Sequence, residues 1–268
     1  MLWVIPIGGK GTRTQSLGEF KPFIEIEGLK ILEWFLISIK KNVSAEDSLI
    51  FITTEYYETN FAVKSTIENI LNKLEINNSF QVLTFKKDLP GVSATIYSQK
   101  EVLGKIKTPI VVIFPDQYID FSLPLTIPRN SCFLPIYAHF GNKSGFVEIN
   151  NGLISKFVEK ENVSNLASAG AYILPDGKTL VYILKKQFEN KLTKNGEYYF
   201  GPALNYLIEK GYRLYPLAVS VKYDLGNIQE IYNFANTPIT KSISKIFNQS
   251  SKASTPLSSY QNLTFCSP

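Results

Sequence analysis

Short runs of β-branched and aromatic residues alternate with longer stretches of helical period, and that alternation limits what the chain can fold into. LWVIPI, LIFITT, FQVLTF, PIVVIF, CFLPIYA, AYIL and LYPLAV have strand length and strand composition. Between the first of them lie ILEWFLISIKKN and FAVKSTIENILNKLE, where apolar residues recur at spacings of three and four. A βαβα order of this kind predicts an α/β protein whose mostly parallel sheet is covered by helices on its faces. GFVEINNGLISKFVEK departs from the pattern: two alternating runs flank Asn151-Gly152, the dipeptide of tight hairpins, so a β-hairpin insert or antiparallel edge is expected in the second half and the mostly parallel sheet is expected to be mixed. GEYYFGPALNYLIEKGY reads as a helix stopped at Gly211. With 268 residues there is enough chain for one large core, and from Thr237 the composition turns to Ser, Thr, Asn and Pro. The expected organisation is one domain over 1–236 and a C-terminal extension over 237–268, partly helical in KSISKIF and loose in NQSSKASTPLSSYQ.

Composition excludes several classes. No stretch approaches the roughly 18 unbroken apolar residues of a spanning helix, and no basic segment precedes an apolar one at the N-terminus, so a cytoplasmic protein without a membrane role is expected. The net charge of +5 is spread without a basic run, which favours small anions over nucleic acid. Cys132 and Cys266 are too isolated to indicate a disulfide framework or a metal site, and Cys132 reads as a small buried hydrophobe. His139 has no nucleophile pattern around it and reads as structural.

The chemistry begins at the first strand, which leads into GGKGTR. Gly8, Gly9 and Gly11 can bring backbone N–H groups up to phosphate oxygens, because a turn without Cβ atoms adopts positive φ and allows close approach. The P-loop pattern is absent, and the dinucleotide fingerprint would need glycine where Thr14 stands. Glu33 has the distance of a ribose-binding acid but falls in a helical stretch rather than at a strand end. Arg13 ends the loop with a planar, permanently charged fork suited to a polyphosphate, and Lys21 follows with a second cation.

GGKGTR, followed by KPF and IEGLKILEW, resembles the signature of the nucleotidyltransferases that activate sugar 1-phosphates, the glucose-1-phosphate thymidylyltransferase-like family. The resemblance continues in the family's order to about residue 236. DLPGVSATIYSQKEVLG is similar to the segment that lies against the nucleotide base. PIVVIFPDQYID is similar to the strand before the first metal-binding aspartate, and SGFVEINNGLISKFVEK to the sugar-contacting hairpin. SAGAYIL resembles the strand on the sugar side, and KYDLGNIQEIYNFAN the element with the second metal ligand. The chain departs from the family at Thr14 and Ser16, where leucine and proline are usual, at Phe20, where proline is common, and at Pro115, where glycine is common. Charged residue types are kept and the loop lining is altered, so the resemblance leaves the base and the acceptor open.

The resemblance implies a single Rossmann-like three-layer domain and a reaction in which a phosphomonoester attacks a nucleoside triphosphate and releases pyrophosphate. It assigns Asp116 and Asp224 to Mg²⁺, whose preference is for hard carboxylate oxygens. Gly8, Gly9, Gly11, Thr12 and Gly91 would bind the nucleotide, with Gly91 at the base. Arg13 would face the departing pyrophosphate, Lys21 the phosphates at the reacting centre, and Lys160 the acceptor phosphate. Glu159, Gly145 and Gly170 would line the acceptor site. A sugar 1-phosphate is the expected acceptor, giving a nucleotide-activated sugar for polysaccharide or glycoconjugate assembly. A cytidylyltransferase for a non-sugar phosphomonoester and a catalytically silent nucleotide-sugar-binding relative are the competing readings. The tail from Thr237 could pack on a second copy of the chain, which leaves a homo-oligomer open.

Overall fold

The computed structural model describes residues 1–9, 11–141 and 144–250. Its strands are β1 (Leu2–Pro6), the short pair β2 (Glu25–Ile26) and β3 (Leu29–Lys30), β4 (Ser48–Thr54), β5 (Ser79–Phe85), β6 (Ile110–Ile113), β7 (Gln117–Phe121), β8 (Ser131–Ala138), β9 (Gly145–Asn150), β10 (Leu153–Glu159), β11 (Leu166–Ser168), β12 (Ala171–Leu174) and β13 (Arg213–Asp224). The helices are α1 (Ile31–Ile39), α2 (Glu55–Phe61), α3 (Val63–Lys73), α4 (Val92–Tyr97), α5 (Lys100–Leu103), α6 (Gly177–Glu189), α7 (Asn205–Glu209), α8 (Ile228–Ala235) and α9 (Pro238–Ser250).

One large sheet runs β10-β9-β11-β8-β12-β6-β1-β4-β5. Its half from β5 to β6 is parallel throughout, as βαβ connections require. At β12 the direction reverses, and the strands from there to β10 pair antiparallel. The expected α/β sheet is thus mixed, with the hairpin insert forming its far edge. Asn151 and Gly152 both have positive φ, 50° and 76°, as a tight hairpin turn demands.

Both faces of the parallel half are buried, which is why its strands read as unbroken apolar runs. Along β1, Leu2 and Val4 join the cluster beneath α6 and α7, while Trp3 and Ile5 join the one beneath α1 and α3. On α1, Leu32, Phe35, Leu36 and Ile39 recur at helical spacing and face the sheet. Trp34, on the other side, packs against Phe234 of α8 in a third cluster that also contains Ile243 of α9. The helix α9 covers KSISKIF, and the rest of the tail expected to be loose, with Cys266, lies outside the described residues.

Two elements differ from the sequence reading. GEYYFGPALNYLIEKGY forms only a 3₁₀ turn at Gly201–Leu204 and the five-residue α7. The Tyr198 main chain is bound instead to Pro90 and Ser93, and the side chain of Asn205 bonds both main-chain polar groups of Phe157. Helix α6 was not anticipated, although Leu180, Ile183 and Leu184 repeat correctly behind Asp176, whose carboxylate caps Thr179 N at 2.7 Å. Glu33 is explained by structure alone: it caps Lys30 N at 2.6 Å and pairs with Lys73.

Candidate active site

The glycine loop leaves the C-terminal end of β1, where open parallel sheets place their ligands. Gly8 is packed under Phe85 and Thr53, whereas Gly9 is exposed with nothing within 4 Å of where a Cβ would stand. Gly11 adopts the left-handed conformation with φ 57° and turns the chain into a 3₁₀ turn at Thr12–Thr14. Thr14, in place of the third fingerprint glycine, is fully buried and bonds Gly11 O through its hydroxyl at 3.0 Å. Thr12 and Arg13 are left exposed on the outside of the loop. A cavity of about 370 Å³ lies between this loop and the ends of β4 and β5, lined by Gln15, Glu19, Thr54, Tyr56, Lys86 and Asp88.

Strand β13 explains how residues more than a hundred positions apart meet. Its first half pairs parallel with β8. From Val219 its second half pairs antiparallel with β7, with a register shift between Val219 and Val221, placing Asp224 opposite Gln117. Leu225 N then donates to Asp116 O at 2.8 Å, which ties the two aspartates to one end of the sheet. Lys21, opening the 3₁₀ turn Lys21–Phe23, donates to Asp116 Oδ2 at 2.8 Å. Lys222 is paired with Asp224. An Arg13 guanidinium nitrogen and Asp116 Oδ2 each lie 3.7 Å from where a Cβ on Gly226 would stand. Burial acts to raise the Asp116 carboxyl, but Lys21, helped by Lys222 and Arg13, outweighs it and holds the group below the usual carboxylate range.

The two carboxylates, 41% and 46% exposed at the side chain, are held by lysines that solvent barely reaches, 13% for Lys21 and 7% for Lys222. Among the described residues no group of three or more His, Cys, Asp or Glu gathers around a point. Two accessible carboxylates are the hard oxygen donors that suit Mg²⁺, which needs few protein ligands because it keeps several waters, and a cation there would compete with the Lys21 and Lys222 ammonium groups for them.

Beside the aspartates opens a second cavity of about 160 Å³, into which Gly145, Glu159, Gly170, Tyr199, Lys222 and Asp224 all project a surface. Burial pushes the Glu159 carboxyl up to about 7 against the pull of Lys160 and Lys194. Tyr172 and Tyr199, on the same walls, are pushed up as well, in each case chiefly by burial. Lys160 has φ 53°, and its ammonium is bound to the Tyr199 hydroxyl with the ring 4.1 Å away. The Tyr199 hydroxyl donates onward to Glu197. Gly91 caps α4 with φ 99°, and a Cβ there would stand 2.7 Å from the main chain of Tyr198. His139 sits between the rings of Tyr137 and Phe146 and does not line the cavity.

Of the residues singled out in the sequence, Arg13, Lys21, Asp116 and Asp224 converge, and Gly145, Glu159 and Gly170 share the adjoining cavity. Lys160 lies one residue from that cavity and faces Tyr199. Lys222, Gln117 and Tyr199 were missed. Lys222 had a signal: it stands two residues before Asp224 in one strand, and residues two apart in a strand share a face.

No curated protein matches the sequence. Among solved structures the chain is similar to a nucleoside-diphosphate-sugar pyrophosphorylase from Vibrio cholerae RC9, with a TM-score of 0.76 and 20% identity over 88% of this chain and all of that one. It is also similar to a UDP-glucose pyrophosphorylase complexed with UDP-glucose, with a TM-score of 0.68 and 19% identity over 90% of this chain and 98% of that one. The inositol-1-phosphate CTP transferase from T. maritima gives a TM-score of 0.66 and 13% identity over 92% and 96% of the two chains. At these identities the likeness is one of fold. The family model for nucleotidyl transferases matches residues 3–241, nearly the whole described chain, and the protein belongs to that family.

Proposed function

We propose that the enzyme transfers a nucleotidyl group from a nucleoside triphosphate to a sugar 1-phosphate in the presence of Mg²⁺, releasing pyrophosphate and a nucleotide-activated sugar. The observation that carries this reading is the convergence of Arg13, Lys21, Asp116, Lys222 and Asp224 beside a cavity that holds Glu159. Phosphoryl chemistry asks little covalent work of a protein; it asks for anions to be held together in line and for charge to be met where it develops. The backbone amides of Gly8, Gly9, Gly11 and Thr12 would cradle the triphosphate, Arg13 would meet the charge growing on the pyrophosphate, and Lys21 would stand at the α-phosphate. An oxygen of the acceptor phosphate attacks the α-phosphorus, and the bond to the departing pyrophosphate oxygen breaks on the opposite side. Asp116 and Asp224 would hold Mg²⁺, which when bound supplies positive charge to both phosphates. Glu159 would accept hydrogen bonds from acceptor hydroxyls, with Gly145 and Gly170 forming the walls and Lys160 fixing Tyr199 across from it. Gly91 would serve the base indirectly, by setting the turn that leads into α4. Such a product is an activated donor for polysaccharide or glycoconjugate assembly, and the work would be done in the cytoplasm. Among the described residues no helix is long and apolar enough to cross a membrane.

The test is pyrophosphate release with Mg²⁺, each common nucleoside triphosphate, and a panel of sugar 1-phosphates, inositol phosphates and phosphorylated amino alcohols. Release that requires one triphosphate and a sugar 1-phosphate is expected. Release only with CTP and a non-sugar phosphomonoester would replace the acceptor assignment, and nucleotide binding without turnover across the panel would replace the enzyme reading with a binding role.

A further inference from the structure

Lys222 is the more deeply covered of the two lysines that hold the site's aspartates, at 7% exposure against 13% for Lys21. A lysine is seldom covered to that degree without partners. Among the described residues its contacts are the Asp224 carboxylate and the Tyr137 ring, whose centroid is 4.9 Å from the ammonium, and its charge also acts on Asp116. An ammonium has three donors, and Lys222 lines the acceptor cavity, so donors remain for an anion placed there. Lys160, which the family resemblance assigns to the acceptor phosphate, has its ammonium on the Tyr199 hydroxyl and over the Tyr199 ring, and Tyr199 rather than Lys160 lines the cavity.

On the reading that this cavity takes a phosphomonoester, we propose that Lys222 is the residue that receives the acceptor's phosphate, restricting the cavity to phosphorylated acceptors. Lys222 and a bound divalent cation would compete for the same Asp224 carboxylate. An ammonium released from Asp224 inside a covered wall needs a new counter-charge, and an acceptor phosphate beside Asp224 supplies it. Lys222 then serves two states, neutralising Asp224 in the empty site and the acceptor phosphate in the filled one.

The experiment uses the full chain and compares Lys222→Met, Lys222→Arg and Lys160→Met with wild type. Inorganic phosphate is titrated calorimetrically with Mg²⁺ present and excess pyrophosphate filling the loop at Arg13 and Lys21. Mn²⁺ affinity is measured separately by electron paramagnetic resonance. Loss of a charge-assisted hydrogen bond predicts that Lys222→Met weakens phosphate binding by about tenfold or more. Lys222→Arg and Lys160→Met should stay within about threefold of wild type, and Mn²⁺ affinity in Lys222→Met should be kept or rise, because the ammonium that competes for Asp224 is gone. The proposal is overturned if wild type binds no phosphate under these conditions, if Lys160→Met rather than Lys222→Met loses it, or if Lys222→Met loses phosphate and Mn²⁺ in equal proportion. Because the titration needs no turnover, silence in the pyrophosphate assay would count against the proposed reaction while leaving Lys222 to be judged on binding. Where turnover is found, Lys222→Met should raise the acceptor KM by about tenfold or more and the triphosphate KM by less than about threefold.

Discussion

The ammonium of Lys21 lies 2.8 Å from Asp116 Oδ2 across 95 residues of chain, joining the loop after β1 to the loop after β6. This pair sets what the site can do at neutral pH. Lys21 holds the Asp116 carboxyl below the usual range and so keeps it ionised, and in the proposed reaction Asp116 would serve a cation while Lys21 stands beside the phosphate. Asp116→Asn should lower turnover on the order of a hundredfold or more. Because the side chain is 41% exposed, the melting temperature should move by no more than roughly 2–4 °C, the equivalent of about 1 kcal/mol. Near-normal pyrophosphate release by this variant would remove Asp116 from the proposed metal-holding pair.

Asp224 and Lys222 allow a second test in which stability and activity separate. Asp224→Asn should cost turnover on a similar scale, and it also leaves the covered Lys222 ammonium without its counter-charge. Adding Lys222→Met should therefore restore part of the lost stability, a coupling on the order of 1 kcal/mol once the exposure of Asp224 is allowed for, while activity stays low. Chemical denaturation of wild type, both single variants and the double variant measures it. Strictly additive losses would mean that the ion pair contributes nothing to the folded state.

Much of this arrangement was legible in the sequence because it depends on local pattern. Both faces of β1, β4 and β6 are buried, so each appears as an unbroken apolar run, and Asn151-Gly152 specifies its hairpin through backbone conformation alone. Asp116 and Lys21 could be singled out because each follows a recognisable element. What could not be read is set by pairings between distant segments. The 12 residues of β13 change partner from β8 to β7 between Ala218 and Val219, and nothing in RLYPLAVSVKYD marks that change. The direction reversal at β12 is likewise invisible in AYIL, since a buried strand looks the same in either orientation. Tyr199 entered the cavity because Tyr198 is pinned to Pro90 and Ser93, a contact that helical periodicity concealed.

Glu159 predicts a pH dependence whose sign can be worked out. Burial raises its folded value to about 7 from the ordinary 4.5, so between these limits the folded protein keeps a proton that the unfolded chain has lost. Stability should then decline as pH rises from about 4.5 to about 7 and level off above, and Glu159→Gln should remove that decline. The ionised carboxylate is the stronger hydrogen-bond acceptor, so acceptor KM should improve in wild type as pH passes 7, but not in Glu159→Gln. Taking the ratio of the two KM profiles cancels the ionisation of the acceptor phosphate. A ratio that does not change between pH 6 and 8 would show that Glu159 does not titrate against the acceptor.

Gly9 and Gly91 were both singled out for the nucleotide, but their surroundings predict opposite outcomes for the same substitution. A Cβ at Gly9 would meet nothing within 4 Å and φ there is not positive, so Gly9→Ala should leave stability within about 0.5 kcal/mol, or raise it slightly by restricting the unfolded chain. Its cost should fall on the triphosphate, whose KM should rise by about tenfold as the methyl group keeps phosphate oxygens from the loop amides. At Gly91 the φ of 99° and the Tyr198 main chain 2.7 Å away leave no room for alanine. Gly91→Ala should lose on the order of 1–3 kcal/mol of stability. Because Tyr198 carries Tyr199 into the cavity proposed for the acceptor, the same change should raise the acceptor KM more than the triphosphate KM. Thermal melts and the two KM values on both variants decide the matter: a Gly9→Ala protein with unchanged triphosphate KM would mean that the glycine loop does not carry the phosphates, whatever Gly91 does.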